Sequence, residues 1–269
     1  MDRLEYKYLI PEDVLAPVRR QILPFVTPDR HMDPAGEYSI HSIYFDTSGL
    51  DYYYQKQSGI QHRRKLRLRG YGQQSKDALV FLEIKRKDNE VISKARAPFH
   101  FEDWEVLFAS GDLARYIHNA GDDPLVVDDA QSFFFHMHRY SLQPTVLVSY
   151  EREAYFVRYN SRLRITLDKN LRSAPFPRLD ELYSEKRQKR SLEGHFIMEL
   201  KFYGGMPGWF KIILEKYGLE RRAVSKYTIS LDEHHIPQRT SAFSVWSSSR
   251  SSIPGLRRGG HPETAQQER

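Results

Sequence analysis

Hydrophobic and polar residues alternate along much of the chain, which is typical of strands with one buried face. The alternating segments are rich in Val, Ile, Phe and Tyr. Because these segments are numerous and follow one another at hairpin-like spacing, they favour an antiparallel sheet that closes, or nearly closes, into a barrel. The predicted strands are 2–10, 37–46, 62–71, 78–88, 90–97, 143–157, 162–169 and 194–203.

Helical periodicity separates several of these strands. Pro11 and Pro207 suit first helical turns, and Gly218 suits a helix end. Residues 170–193 are charged and irregular, and we expect a mobile loop with room for one helical stretch. The sequence therefore predicts one α+β domain over residues 1–237, an antiparallel β-barrel with peripheral helices. The predicted helices are 11–23, 48–57, 101–110, 128–140 and 207–217.

Basic residues occupy one face of several predicted strands. Successive strand residues point to opposite sides, so Lys65, Arg67 and Arg69 share one face. Leu66 and Leu68 form the opposite, apolar face. The same alternation places basic residues on one face of other predicted strands: Lys7, Lys85, Lys94, Arg164 and Lys201.

A solvated sheet face explains this pattern in any one strand. Its recurrence favours a shared lumen, because facing Arg and Lys side chains repel one another unless a polyanion lies between them. One Arg guanidinium group can donate two parallel hydrogen bonds to two oxygens of a phosphate, whereas a Lys ammonium group attracts phosphate as a point charge. The sequence therefore predicts a basic lumen that holds a compact polyanion.

Net charge is unevenly distributed along the 269 residues. The chain carries +6, and residues 238–269 hold five Arg and two acidic residues, a net of +3. This segment is rich in Ser, Gly and Arg, which predicts a disordered basic tail, with an electrostatic tether as the alternative. The body is nearly balanced, which argues against a uniformly basic nucleic-acid surface. No sequence-specific nucleic-acid partner is expected.

Two features bear on the cellular compartment. The chain has no cysteine, which excludes disulfides, zinc–thiolate sites and a cysteine nucleophile. Its charged start differs from a signal peptide, and no apolar run approaches the ~20 residues that cross a bilayer. These features favour a cytoplasmic protein without a transmembrane segment.

Glu199 is the most informative acidic residue. It lies on a charged strand face beside Lys201. One carboxylate can hold Mg²⁺ or Mn²⁺ when phosphate oxygens complete the coordination shell, and the alternative is a structural ion pair. Glu5 and Glu83 are weaker metal candidates, each expected to pair with the Lys two residues later. The sequence has no P-loop, dinucleotide or kinase motif.

Several motifs, in their order along residues 1–235, resemble one family. That family is the VTC domain, the catalytic domain of the vacuolar transporter chaperone polyphosphate polymerase and its bacterial relatives, within the CYTH-like triphosphate tunnel metalloenzymes. The motifs are Arg3-Leu4-Glu5-Tyr6-Lys7-Tyr8, Ile43-Tyr44-Phe45-Asp46-Thr47, Lys65-Leu66-Arg67-Leu68-Arg69, Glu83-Ile84-Lys85, Arg164-Ile165-Thr166-Leu167-Asp168, Met198-Glu199-Leu200-Lys201 and Ser225-Lys226-Tyr227.

The resemblance implies a β-tunnel in which ATP donates phosphoryl groups to polyphosphate, orthophosphate or pyrophosphate with Mn²⁺ or Mg²⁺ as cofactor. It implies Glu199 as the metal carboxylate, and Tyr150 and Ser225 as hydrogen-bonding neighbours. Lys7, Lys65 and Lys201 are further substrate-binding positions. A membrane partner that receives the product is left open. The implied phosphate-binding residues are Arg67, Arg69, Lys85, Lys94, Arg152, Arg164 and Lys226.

Arg3 departs from the hydrolytic branch of that superfamily, which opens with Glu-x-Glu-x-Lys. Loss of one carboxylate weakens a set that would activate water, so the sequence favours phosphoryl transfer over hydrolysis. The expected function is a polyphosphate polymerase. The alternatives are a tunnel-type triphosphatase and a non-catalytic accessory domain that binds polyphosphate or inositol phosphates.

Overall fold

The computed structural model describes residues 3–88 and 91–238, apart from the side chains of Ile92 and Ser161. Almost all of the predicted tail, 238–269, therefore lies outside the described residues. Within the described part, every helix is too short or too polar to span a bilayer.

Antiparallel strands form the framework. Their sheet order is β1-β10-β8-β7-β3-β4-β5-β6, with the short β2 and β9 pairing with β7 and β8. The strands are β1 (Arg3–Pro11), β2 (Val26–Pro28), β3 (Tyr38–Asp46), β4 (His62–Tyr71), β5 (Leu79–Asp88), β6 (Val91–His100), β7 (Gln143–Val157), β8 (Asn160–Pro175), β9 (Lys189–Arg190) and β10 (His195–Tyr203).

Helices pack on both faces of this sheet. Short 3₁₀ turns flank α1 and precede α3, and another lies at Leu179–Glu181. The helices are α1 (Leu15–Ile22), α2 (Asp51–Gln57), α3 (Trp104–Ser110), α4 (Leu113–Tyr116), α5 (Pro124–Arg139), α6 (Gly208–Lys216) and α7 (Lys226–Glu233).

The sheet curls until its two edge strands approach each other. Strands β1 and β6 lie side by side, but the described residues form no ladder between them. The ion pair between Lys85 Nζ and Glu5 Oε2, at 2.9 Å, joins the two sides of the curl instead. The predicted α+β class with an antiparallel sheet and peripheral helices is confirmed, and the barrel is curled rather than closed by backbone hydrogen bonds.

Three buried apolar clusters hold the helices to the sheet. Helices α3 and α5 cover the outer face of β4, β5 and β6, where Phe133 packs with Leu66 and Leu68. Helices α1 and α6 cover β1, β8 and β10. Helix α7 lies on the opposite face, where Tyr227 and Leu231 pack on β3 and β7. The last helix therefore fills part of the concave side of the sheet.

Three sequence-based boundaries differ from the structure by four or more residues. Helix α1 begins at Leu15 rather than 11, because Pro11 is the last residue of β1 and the 3₁₀ turn Glu12–Val14 follows it. Strand β8 continues to Pro175, and β9 pairs with it at Arg172 and Ser173, so residues 170–193 are only partly a loop. Helix α5 begins at Pro124 rather than 128, because the Asp123 side chain accepts a hydrogen bond from the Leu125 N–H and caps it.

Two strands and two α-helices were not predicted: β2, β9, α4 and α7. Helix α7 carries β-branched residues of low helix propensity, including Thr228 and Ile229. Its formation depends on the Ser225 cap and on burial against the sheet, which local sequence patterns do not report.

Candidate active site

Basic side chains line the concave face of the sheet, as strand alternation requires. Arg69, Arg152 and Lys226 are almost fully buried there. Cavities of about 980 Å³ and 660 Å³ open toward opposite ends of β4 and β5. The first is lined by Tyr71, Phe81, Arg96, Arg152 and Arg164, among others, and the second by Glu5, Lys7, Lys65, Lys85 and Ser225.

Glu83 organises one cluster between these cavities. Its carboxylate lies 2.7 Å from Arg67 Nη2, 2.5 Å from Lys94 Nζ and 3.3 Å from Arg96 Nε. Burial raises the pKa of Glu83, but the arginines and Lys94 lower that pKa further, and the balance is well below the usual value. Glu83 is therefore an ionised anchor for its cationic neighbours.

Glu199 organises the second cluster. Its carboxylate lies 2.9 Å from Lys226 Nζ, 3.1 Å from Lys201 Nζ and 3.4 Å from Lys7 Nζ. Arg152 completes this shell at 3.7 Å. Burial alone would raise the pKa of Glu199, but these cations, above all Lys226, hold it well below the ordinary range. One carboxylate thus faces an excess of positive charge.

Asp168 fixes two members of that shell in place. Arg152 donates two hydrogen bonds to it, Nε at 2.6 Å and Nη2 at 2.7 Å, and Lys226 Nζ lies 2.5 Å away. The paired geometry holds the guanidinium plane of Arg152 at one orientation. Asp168 therefore positions the cations that surround Glu199.

Several lysines have too little negative charge around them. Lys65 donates to Ser225 Oγ at 2.7 Å, and burial together with Lys7 and Lys85 keeps the pKa of Lys65 well below its usual value. Burial lowers the pKa of Lys85 and that of Lys94 to about 8, although Glu5 and Glu83 partly offset this effect. An anion in the lumen would relieve this unfavourable burial of charge.

Neutral groups orient the arginines. Arg67 donates to the Tyr44 hydroxyl at 3.0 Å, and Arg69 donates to Ser42 Oγ at 3.0 Å and to the Tyr150 hydroxyl at 3.5 Å. Tyr44 and Ser42 lie on β3, which pairs with the arginine-bearing β4, and Tyr150 lies on β7, the strand on the other side of β3. The guanidinium groups are therefore pre-positioned before any ligand binds.

Helix α7 brings Lys226 into the lumen through three anchors. Ser225 caps its start and accepts a hydrogen bond from the Thr228 N–H. The Tyr227 hydroxyl donates to Asp46, which also accepts from the N–H groups of Tyr52 and Tyr53 in α2. The Tyr53 hydroxyl donates to Asp232 at 2.6 Å. Asp46 thus joins α2, α7 and the lumen.

The structure brings most of the predicted site residues together. Arg164 stands apart from the Glu199 cluster, at one cavity wall, where it pairs with Asp29 at 2.7 Å and donates to the Tyr38 hydroxyl. The residues gathered around Glu83 and Glu199 or in the second cavity are Lys7, Lys65, Arg67, Arg69, Lys85, Lys94, Tyr150, Arg152, Lys201, Ser225 and Lys226.

Asp168, Arg96 and Tyr44 were not among the predicted site residues. Strand parity places Asp168 on the same face as Arg164, and Arg96 on the same face as Lys94, but it does not predict their contacts with the site carboxylates and cations. The expected pair of Glu5 with Lys7 is present at 3.2 Å. Glu83 pairs instead with its direct cross-strand neighbours Arg67 and Arg96 and with Lys94.

The donor chemistry fits a hard divalent cation that is shared with phosphate. The Lys7 ammonium lies 3.2 Å from Glu5 Oε1 and 3.4 Å from Glu199 Oε1, so two carboxylates from adjacent strands converge on one positive charge. Carboxylate oxygens suit Mg²⁺ and Mn²⁺. Within the described residues, no three or more His, Cys, Asp or Glu side chains form a group that could hold a metal ion.

The solved structures that are similar to this chain include two of low sequence identity. The PH1819 protein from Pyrococcus horikoshii OT3 is 16% identical, with coverage of 86% of this chain and 99% of that one and a TM-score of 0.45. The Hippeastrum protein HpAC1, described as an adenylyl cyclase with a dominant triphosphatase activity, is 14% identical, with coverage of 86% and 95% and a TM-score of 0.43.

Among curated proteins, none matches this chain significantly. A family model named VTC domain matches residues 2–235, which include both carboxylate clusters and helix α7. Because this match extends over most of the sequence, the chain belongs to the VTC domain family.

Proposed function

We propose that this protein is a polyphosphate polymerase, which transfers the γ-phosphoryl group of ATP to a growing polyphosphate chain. The observation that carries the proposal is the excess of cations around the buried carboxylates of Glu199 and Glu83. Four cations surround Glu199, and the pKa values of Lys65, Lys85 and Lys94 are depressed. A linear phosphate anion supplies the negative charge that this lumen lacks.

The two cavities support a polymeric product. They lie toward opposite ends of the curled sheet and both contain basic side chains, including Arg164 in one and Lys65 in the other. In the proposed arrangement, donor and product occupy different ends of the same basic path. A chain can then lengthen in the lumen while its cations remain in contact with phosphate.

Positioning and charge neutralisation supply most of the catalysis in phosphoryl transfer. Tyr44 and Ser42 already orient the Arg67 and Arg69 guanidinium groups. Each group binds two phosphate oxygens of the ATP donor. Lys7, Lys201 and Lys226 exchange part of their contact with Glu199 for contact with phosphate. These side chains hold the reacting phosphates in line and neutralise charge on the transferring group.

Mg²⁺ or Mn²⁺, when bound, neutralises additional charge on the phosphate oxygens. Glu199 would hold the metal, with Glu5 as the nearest second carboxylate. Asp168 would keep Arg152 and Lys226 in position while Glu199 changes its partners.

The low pKa values of the carboxylates in the lumen favour phosphoryl transfer over hydrolysis. A carboxylate is most effective as a general base for a water nucleophile when its pKa lies near the working pH. The pKa values of Glu5, Glu83 and Glu199 are all held far below that range, because the neighbouring cations outweigh burial. A terminal phosphate is already ionised near neutral pH and attacks without a base. The lumen therefore suits a phosphate acceptor better than water.

A triphosphatase is the second candidate, because the same cations would hold a triphosphate for hydrolysis. The deciding experiment incubates purified protein with ATP and Mn²⁺ and measures both polyphosphate on a stained gel and released orthophosphate. We expect long-chain polyphosphate, with a shorter lag after addition of pyrophosphate. Orthophosphate as the sole product would establish the triphosphatase.

Binding of polyphosphate without turnover would instead support an accessory domain. The Arg178→Ala variant is a control for a basic residue outside the lumen, since the Arg178 side chain is exposed and pairs with Asp180 in an exposed ion pair. It should behave as the wild type in both assays.

A further inference from the structure

A second group of basic side chains lies on the outer face of the sheet. Arg64 and Arg86 are direct cross-strand partners in β4 and β5. Because strand residues alternate, these arginines point away from the lumen, whereas Lys65 and Lys85 point toward it. Like charges directly opposite each other destabilise a sheet, so this pair needs a counter-charge.

The two arginines have little compensation within the protein. Arg86 Nη2 donates to Ser132 Oγ at 2.7 Å. Arg64 is exposed and forms no ion pair or hydrogen bond with the part of the chain that the structure describes. The nearby carboxylate of Asp88 pairs with His62 at 2.7 Å. The guanidinium group of Arg64 is therefore available to a ligand.

A cavity of about 370 Å³ lies beside this pair. Thr47, Asp51, Tyr52 and Tyr140 line it together with residues of β4 and β5, including both arginines. Its volume is within the range of pockets that bind small molecules.

The Tyr52 hydroxyl is the second, independent sign of a ligand. Tyr52 is only 6% exposed and lines this cavity, yet its buried oxygen has no hydrogen-bond partner. Buried polar groups nearly always find a partner, because burial without one is costly. Burial raises the pKa of Tyr52 to about 12, so the hydroxyl is protonated and can donate.

Helix α5 adds a third unsatisfied group behind the arginines. Both ring nitrogens of His136 are buried without a hydrogen-bond partner. Burial, together with Arg64 and Arg86, lowers the pKa of His136, which shows that all three lie in one electrostatic environment. Four basic side chains, those of Arg63, Arg64, Arg86 and Lys87, line the cavity with only two carboxylates, those of Asp51 and Asp88, so its described lining carries net positive charge.

We propose that this outer cavity binds a small phosphate anion, held by the guanidinium groups of Arg64 and Arg86 and by the Tyr52 hydroxyl. A tetrahedral oxyanion suits this geometry because its oxygens can accept from the two strands and from α2 at once. A planar carboxylate offers only two oxygens. This site is separate from the lumen and does not depend on the proposed polymerase activity.

The test blocks the lumen and then titrates the outer site. Metal-free protein is saturated with tripolyphosphate, and inorganic phosphate is added in a calorimeter. We expect one further phosphate-binding event in the wild type. Arg64→Gln and Tyr52→Phe should each weaken this event at least tenfold, while tripolyphosphate binds to both variants as to the wild type.

Arg20→Gln is the matched control, because Arg20 is an exposed arginine of α1 outside this cavity. It should keep the second event. Tyr52→Phe removes only an unpaired hydroxyl and should not lower the melting temperature, and Arg64→Gln provides an exposed substitution should Tyr52→Phe fail to fold. Absence of the second event, its persistence in both variants, or equal binding of acetate would overturn the proposal.

Discussion

Lys226 Nζ lies 2.9 Å from Glu199 Oε1, and this contact joins the last helix of the fold to the centre of the sheet. Strand β10 supplies the carboxylate, and α7 supplies the ammonium from the concave side. Both groups are buried, and the opposite charge of each offsets the cost of removing the other from water. The same contact places a cation where a phosphate anion would bind.

Glu199→Gln separates catalysis from binding. The substitution removes one negative charge from a shell of four cations, so we expect triphosphate to bind as tightly as before or more tightly. Phosphoryl transfer should fall by ~10²–10³, the usual size of such an electrostatic contribution. Synthesis assays and calorimetry on one preparation measure both quantities.

Glu151→Gln is the control for that variant, because Glu151 is a part-buried acid that pairs with Arg172 outside the lumen. Synthesis at near wild-type rate by Glu199→Gln in saturating Mn²⁺ would remove Glu199 from the mechanism. Severe loss of stability with normal specific activity would identify Glu199 as a structural ion-pair residue.

Arg67→Ala should weaken triphosphate binding by about 10- to 100-fold, the equivalent of one or two charge-assisted hydrogen bonds. Its thermal midpoint should change little, because Glu83 keeps Lys94 and Arg96 as partners. Calorimetry and thermal unfolding check the two statements. A variant that unfolds far earlier but binds triphosphate normally would show that Arg67 serves only the fold.

Triphosphate binding should take up protons near pH 8. Burial lowers the pKa of Lys85 and that of Lys94 to about 8, so each is about half protonated there, and a bound anion raises both pKa values. Affinity should therefore fall as pH rises above 8. Calorimetry in buffers of different ionisation enthalpy measures the proton count.

Lys85→Met should lose part of this uptake, about half a proton at pH 8. Proton release on binding by the wild type, or an affinity that rises between pH 8 and pH 9, would contradict the assignment of these lysines to the phosphate path.

Tyr227→Phe should loosen helix α7. The fully buried hydroxyl donates to the Asp46 carboxylate, and loss of such a bond costs about 1.5–3 kcal/mol of unfolding free energy. Because α7 carries Lys226, triphosphate affinity should also fall. Urea unfolding and calorimetry test this against Tyr159→Phe, an exposed control. Equal stability of the two variants would show that the Asp46 contact does not anchor α7.

Strand alternation by itself determined which residues face the lumen. Because side chains alternate at period two, Lys65, Arg67 and Arg69 had to share a face wherever the strand lay. The apolar opposite face required helices to cover it, and α3 and α5 do so. Secondary structure and the basic lumen were therefore predictable from local patterns, apart from β2, β9, α4, α7 and the strand continuation to Pro175.

Only the tertiary structure decided how the charges are paired. Glu83 contacts Lys94 across strands, and Glu199 contacts Lys226, 27 positions away in the sequence. Such partners depend on the curl of the sheet and on helix α7, whose stability comes from burial rather than helix propensity. The unpaired Tyr52 hydroxyl is equally invisible in the sequence, because a missing hydrogen bond is a property of the packed molecule.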